Sequence, residues 1–345
     1  LDGKLHLDEW GFSDGINNEG KQDGKNSGRE KPQGPYMQFL EDRGLREVHV
    51  EDFDKRYKMA YFPTPLPDDC YGDNWIAQNG LDLIDSVPDD KPWFLQININ
   101  GPHGPWDITE GMVDLYNSED MPVPYGDLDE PVEEYQGVRR NYSAMVENID
   151  RWVGIYLDKL EERGELENTL IVFSSDHGEY LGDHYLSGKG HIYDSGMRVP
   201  LIVRDPSSSA DVTRGKALGG FVESVDIAPT ILELMGQEIP DRVQGRSLEG
   251  RIRGSSDAGK TEIHYEKDFR HIPGMDRDES LLWVVRDDSY KYVQFADASV
   301  PALLFDLEAD PGESSNIGDR PESAPIMLDY CQKLLRWRMK NEDQR

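Results

Sequence analysis

The chain is 345 residues long, which suits one large domain and a small one, and its 37% hydrophobic and 10% aromatic residues exclude a disordered chain. Its 68 acidic residues against 37 basic ones give a formal net charge of −31, which argues against a nucleic-acid partner, because phosphate backbones need a basic surface. The two cysteines, Cys70 and Cys331, have no CxxC or Cys/His spacing, so zinc and thiol redox chemistry are unsupported.

Two free buried thiols are expected, with a single disulfide as the alternative. No apolar run approaches the ~20 residues of a membrane span. The chain opens on Leu1 with no signal-peptide pattern, and this start is expected to be a cut.

Residues 12–35, rich in Gly, Asn, Lys and Asp, read as a long surface loop. Residues 36–43 read as a short helix closed by Gly44. Residues 51–72, with Pro63, Pro65 and Pro67 spaced two apart, read as irregular. Residues 75–86 have helical spacing, with Ile76, Leu83 and Ile84 on one face. The run WFLQIN at 93–98 reads as a buried strand, and 107–135 as a Pro- and Asp-rich excursion.

Tyr142, Val146, Ile149, Val153, Leu157 and Leu160 then recur every three or four residues, a helix that Gly164 stops. The apolar run 169–174 follows as a strand. Strand, long helix and strand make a βαβ-type unit, so a mainly parallel central sheet flanked by helices is expected. Residues 199–203 add a strand, and 226–235 a short helix with Pro229 near its first turn. Beyond about residue 250 the pattern changes to short strands at 261–265, 281–285 and 290–295, the last two joined by a hairpin at 286–289. Residues 321–340 read as a closing helix. The expected architecture is α/β over 1–250 with a smaller α+β domain over 251–345, built on an antiparallel sheet.

The chemistry concentrates in residues 174–200. Asp176 and His177 follow the strand 169–174, and ligands in open α/β sheets collect beyond strand C-termini. A carboxylate suits calcium or magnesium and an imidazole also suits zinc or manganese; an ordinary polar turn is the competing reading. Lys189, in a Gly-flanked loop, can hold an oxyanion as a point charge. His103, between prolines and glycines directly after WFLQIN, falls at another strand end. Lys4 and His6 lie two apart and face one side if extended. His191, His184 and Trp106 (with Asp107 beside it) are candidate substrate contacts, against loop hydrogen bonding or packing.

In this order these segments resemble the sulfatase family of the alkaline-phosphatase-like superfamily. Residues 3–7 match its GKWHL-like segment, 102–105 its PHxP-like segment and 175–179 its SD(N/H)GE segment. LGDH at 181–184, Lys189, RVPL at 198–201, SVDIAPT at 224–230, GxSL at 245–248, YKY at 290–292 and the DPGE-bearing segment 304–316 follow. The resemblance implies that Asp176 and His177 are ligands of a divalent metal, usually calcium, with magnesium or manganese as alternatives. It implies that Lys4 and Lys189 bind sulfate oxygens, that His6 positions or polarises the nucleophile, and that His103 protonates the leaving oxygen. It implies a small sulfated substrate, carbohydrate or aryl ester, and a periplasmic or extracellular setting; the oligomeric state stays open.

The family nucleophile is a cysteine in a C-x-P-x-R segment, converted to formylglycine and placed before the GKWHL-like segment. Neither Cys70 nor Cys331 sits in such a segment. The chain is therefore expected to be a fragment, inactive alone and a poor binder of metal. A phosphonate monoester or phosphodiester hydrolase of the same superfamily, which shares the SDHGE form, and a non-catalytic relative are the alternatives.

Overall fold

The computed structural model describes residues 4, 6–116, 120–126, 130–255, 257–270, 272, 275 and 277–341. It divides into two compact units, Leu1–Glu167 and Asn168–Arg345.

The first unit carries helices α1 (Lys21–Ser27), α2 (Pro35–Asp42), α3 (Arg46–Lys55), α4 (Gly72–Ser86) and α5 (Val132–Glu162). Pro35 opens α2, where its fixed φ suits the first turn and its missing N–H is no loss. Gly44 follows with φ 69°, the left-handed conformation that glycine adopts without a Cβ penalty. Tyr36, Met37 and Leu40 of α2 pack with Val50, Leu66, Cys70, Trp75 and Ile76 into one core.

Three expectations for this unit need correction. Residues 12–35 are not all surface loop, since α1 forms within them and buries Lys21 and Gly24. Residues 51–55, read as irregular with the rest of 51–72, are the second half of α3, whose charged composition hides a helical face on which His49, Val50 and Phe53 are buried. Buried Asp52 is paired with Arg56 at 2.9 Å, which allows a carboxylate in that face. The run 93–98 is extended but joins no strand ladder among the described residues. Its β-type composition is spent on packing: Ile97 and Ile99 lie against the core, and Phe94 stacks on Phe12. The long helix appears as expected and starts earlier, at Val132 behind Pro131.

In the second unit β1 (Ile171–Ser174) pairs with β2 (Leu201–Arg204), running antiparallel with Ser174 opposite Leu201. Short helices α6 (Asp194–Met197), α7 (Ile227–Leu234) and α8 (Glu249–Ile252) follow. Strands β3 (Ile263–Asp268), β4 (Leu281–Arg286), β5 (Tyr290–Phe295) and β6 (Leu303–Asp306) form an antiparallel sheet in the order β3-β4-β5-β6. The expected hairpin at 286–289 is present, and the Asp287 carboxylate accepts from the Ser289 and Tyr290 N–H groups. Strand alternation gives the sheet two apolar faces. Val285, Tyr292 and Leu304 meet Tyr330 and Leu334 of the closing helix α9 (Ala324–Asn341). Leu282, Val284, Val293 and Phe305 meet Ile192.

Both cysteines are free, but only Cys70 is buried; Cys331, on α9, is exposed. No helix among the described residues is long and apolar enough to cross a membrane.

Candidate active site

In the second unit, β1 delivers the chain to Ser174 and the backbone then turns. Ser175 Oγ donates to the His177 carbonyl at 3.0 Å, and the Gly178 N–H donates to the Gly196 carbonyl at 3.0 Å. A Cβ at residue 178 would lie 2.1 Å from the Ser195 carbonyl oxygen, so this close approach of two backbones requires glycine. The turn leaves Asp176 exposed and His177 half-buried.

His177 Nδ1 lies 2.8 Å from the Gly178 carbonyl, a partner that only accepts, so Nδ1 carries the proton and Nε2 keeps its lone pair. That Nε2 is 2.7 Å from Lys189 Nζ and 3.3 Å from Asp176 Oδ2. One carboxylate oxygen, one imidazole lone pair and one ammonium therefore meet. The oxygen and the nitrogen are donors that fit a divalent cation. They make a pair and no more: among the described residues no group of three or more His, Cys, Asp or Glu side chains gathers to hold a metal.

Residues without an individual role in the sequence reading position this cluster. Glu179 accepts hydrogen bonds from the Gly188 and Leu181 N–H groups, closing the loop that leads to Lys189. Gly188 and Gly190, on either side of Lys189, have φ of 80° and 98°. Asp183 is buried and accepts from Ser195 Oγ at 2.7 Å. Asp194 accepts from fully buried Lys291 at 2.5 Å, and Lys291 also pairs with Glu313. Glu313 in turn accepts from the Asp194 N–H at 2.7 Å. Burial would raise the Asp194 pKa, but Lys291 and Arg286 outweigh it and hold the carboxyl below its ordinary value. The signal was present in the sequence, since Lys291 is the centre of YKY and Glu313 the end of DPGE.

His184 and His191 lie on the same loop. The His184 ring stacks on Tyr193 at 3.6 Å and 8°, and burial lowers its pKa. One ring face is thus taken by packing. His191 is exposed, set edge-on to Tyr180 at 5.8 Å; burial and Lys267 lower its pKa.

The other candidates belong to the first unit. Lys4 pairs with Asp14 at 2.6 Å, and that hydrogen bond holds the Asp14 carboxyl below its ordinary range. His6 has φ 67°, opens a turn and faces Glu9 at 2.9 Å. The Leu7 N–H donates to the Lys4 carbonyl at 3.5 Å and the Trp10 N–H to the His6 carbonyl at 3.2 Å; Gly3 and Leu5 of the expected Lys4–His6 segment lie outside the described residues. His103 is exposed with Nδ1 2.6 Å from the Gly104 carbonyl.

Trp106 is 5% exposed and Asp107 1%. Both are interior. Asp107 pairs with buried Lys21 at 2.8 Å, and Asp73 lies 3.7 Å from the same ammonium. Burial pulls the Lys21 pKa down, but Asp107 and Asp73 more than offset it and keep the ammonium charged. Asp73 also accepts from the Gly101 N–H at 2.9 Å, so this buried cluster grips the segment that carries His103.

The sulfatase family model matches residues 9–237, and the family described as N-sulphoglucosamine sulphohydrolase, C-terminal, matches residues 182–340. The multifunctional alkaline phosphatase superfamily protein PehA of Trinickia caryophylli is 34% identical over 325 residues, covering 81% of this chain and 62% of the relative. An arylsulfatase of Clostridium perfringens is 30% identical over 295 residues, covering 79% and 59%. The chain thus spans about three-fifths of the length of these relatives. Among solved structures, the phosphonate monoester hydrolase of Agrobacterium radiobacter aligns with a TM-score of 0.79 at 25% identity, covering 88% of this chain and 69% of that one.

Proposed function

The chain belongs to the sulfatase family, and from that premise we propose that it supplies the metal- and sulfate-binding part of a sulfuric-ester hydrolase acting on a small sulfated carbohydrate or aryl ester. Its fold is the α/β one of the alkaline-phosphatase-like superfamily, with an antiparallel sheet in the C-terminal region. The observation that carries the proposal is that Lys189 Nζ and Asp176 Oδ2 lie 2.7 and 3.3 Å from His177 Nε2.

Cleaving a sulfate ester leaves charge on the outer oxygens and develops more on the bridging one. Lys189 binds an outer oxygen through its ammonium. Asp176 and His177 would hold a divalent cation, calcium in this reading with magnesium or manganese as alternatives, and such an ion would supply Lewis-acid stabilisation of the sulfate. From the first unit, Lys4 binds sulfate oxygen, His6 positions the nucleophile, and His103 as imidazolium donates a proton to the leaving oxygen. His103 is exposed at the head of a braced loop, which supports that role.

No residue of this chain is assigned the nucleophile. Cys70 is buried and Cys331 lies outside any C-x-P-x-R segment. The formylglycine of the family has no counterpart among the 345 residues, which alone bind an ester without turning it over. A periplasmic or extracellular setting belongs to the same reading. So does a division into residues 1–250 and 251–345, supported by the end of the sulfatase match at 237, although the compact units meet at 167 and 168.

A second reading, hydrolysis of phosphonate monoesters or phosphodiesters, is favoured by the phosphonate monoester hydrolase match. Calorimetric titration of this chain with 4-nitrophenyl sulfate and with phenylphosphonate, calcium chloride present, separates the two. The sulfate ester is expected to bind more tightly, and Lys189→Gln to weaken it about tenfold, the loss of one charge-assisted contact. Unchanged sulfate affinity in the variant would overturn the reading; tighter phosphonate binding would favour the second.

A further inference from the structure

Strand β3 is an edge strand of the four-stranded sheet. Side chains alternate along it, so Tyr265 and Lys267 share one face, which Phe269 continues. Tyr265 and Phe269 pack against the cluster that contains Ile192 and Tyr193. Lys267 therefore stands in an apolar row directed at the 189–193 loop. Its ammonium lies 3.5 Å from the point where a Cβ on Gly190 would sit, beside the residue that follows Lys189. Gly190 has no side chain to fill that space, and at φ 98° a substitute would be strained.

Among the described residues no carboxylate pairs with Lys267; the Phe269 ring lies 6.0 Å from the ammonium. In a chain with 68 acidic and 37 basic residues, a half-buried lysine whose ammonium pairs with no carboxylate among the described residues is available to an anionic ligand. Lys189 and His191 flank Gly190 in the chain and both are exposed. Lys267 thus stands beside Gly190 and close enough to His191 to act on its ring, while Lys189 is turned to His177 Nε2 at 2.7 Å.

We propose that Lys267, with His191, forms a second anion subsite beside Lys189, so that the preferred ester carries a second acidic group, a carboxylate or another sulfate, next to the sulfate that Lys189 holds. The inference rests on Lys189 being the sulfate-binding lysine. It narrows the substrate from any sulfate ester to a dianionic one. An ammonium reaching a carboxylate in a partly dry setting makes a charge-assisted hydrogen bond, which a neutral group in the same place cannot replace. His191 contributes a further N–H donor.

The test is equilibrium binding of two probes to the whole chain, with calcium chloride present: 4-nitrophenyl sulfate, and 4-carboxyphenyl sulfate, which adds the second anion. Wild type is expected to favour the carboxylated ester by about tenfold. Lys267→Gln should abolish that preference while leaving the 4-nitrophenyl sulfate affinity unchanged, and Lys267→Arg, which keeps the charge, should restore it. A preference that survives in Lys267→Gln, or equal binding of both probes in wild type, would overturn the subsite while leaving Lys189 its role. Affinity for either probe that is indifferent to Lys189→Gln would overturn the sulfate reading itself. If neither probe binds, both fall.

Discussion

His177 shows how much a single hydrogen bond decides. Donation from Nδ1 to the Gly178 carbonyl fixes the tautomer, and the tautomer turns Nε2 toward Asp176 and Lys189 as a lone-pair donor. The close approach of residue 178 to Ser195 maintains that turn. Gly178→Ala places a methyl 2.1 Å from a backbone oxygen that cannot rotate away. We expect a loss of roughly 1–3 kcal/mol, read as a lowered urea midpoint, together with weakened sulfate-ester binding. At this scale the sequence was informative for the position of Asp176 and His177, because polar residues just after an apolar run declare their place at a strand end, here that of β1. It was uninformative for the surroundings of Asp107, whose partner Lys21 lies 86 residues away in the chain.

At the scale of elements, the His103 loop is held from beneath by charges rather than by a sheet. Asp73 on α4 accepts from Gly101, Asp107 closes the far end, and Lys21 on α1 neutralises both carboxylates inside the protein. Removing the ammonium leaves two buried carboxylates facing each other. Lys21→Met should therefore cost about 3–5 kcal/mol, measured by urea unfolding, whereas a surface variant such as Lys55→Met should cost under about 1 kcal/mol. The elements legible in the sequence, α2, α4, α5 and the β4–β5 hairpin, have clean periodicity or turn chemistry. Helices α1 and α3 do not, because their buried faces include Lys21, Arg46, His49 and Asp52, residues that a hydrophobic pattern counts as surface. The run 93–98 misled in the opposite sense: strand composition needs a neighbouring strand, and composition does not reveal the neighbour.

For the molecule as a whole, the acid side of its stability curve follows from a histidine that the site does not use. Burial pushes the His49 imidazole from its ordinary 6.5 down to about 4. Its Nε2–H donates to the Lys21 carbonyl at 3.3 Å, while buried Nδ1 has no hydrogen-bond partner. A depressed pKa means that the unfolded chain takes up the proton first. The contribution is intact above the unfolded value of 6.5 and is lost as pH falls toward 4, at up to about 1.4 kcal/mol per pH unit and roughly 3 kcal/mol in all. His49→Phe should flatten that slope in urea midpoints taken between pH 7 and pH 4.5. The fold and the family were legible because ordered motifs survive at recognisable spacing. Much of that motif set is structural: Asp226 of SVDIAPT is buried against Lys260 and the Arg246 N–H, and Thr230 Oγ1 accepts from the Leu248 N–H of GxSL.

The metal and sulfate centre on His177 is tested most directly by nitrogen NMR of the imidazole rings, of which the chain has only eight. At neutral pH, His177 Nε2 is predicted to show the shift of an unprotonated ring nitrogen and to move when calcium chloride and 4-nitrophenyl sulfate are added. A protonated Nε2 whose signal is indifferent to both additions would contradict it.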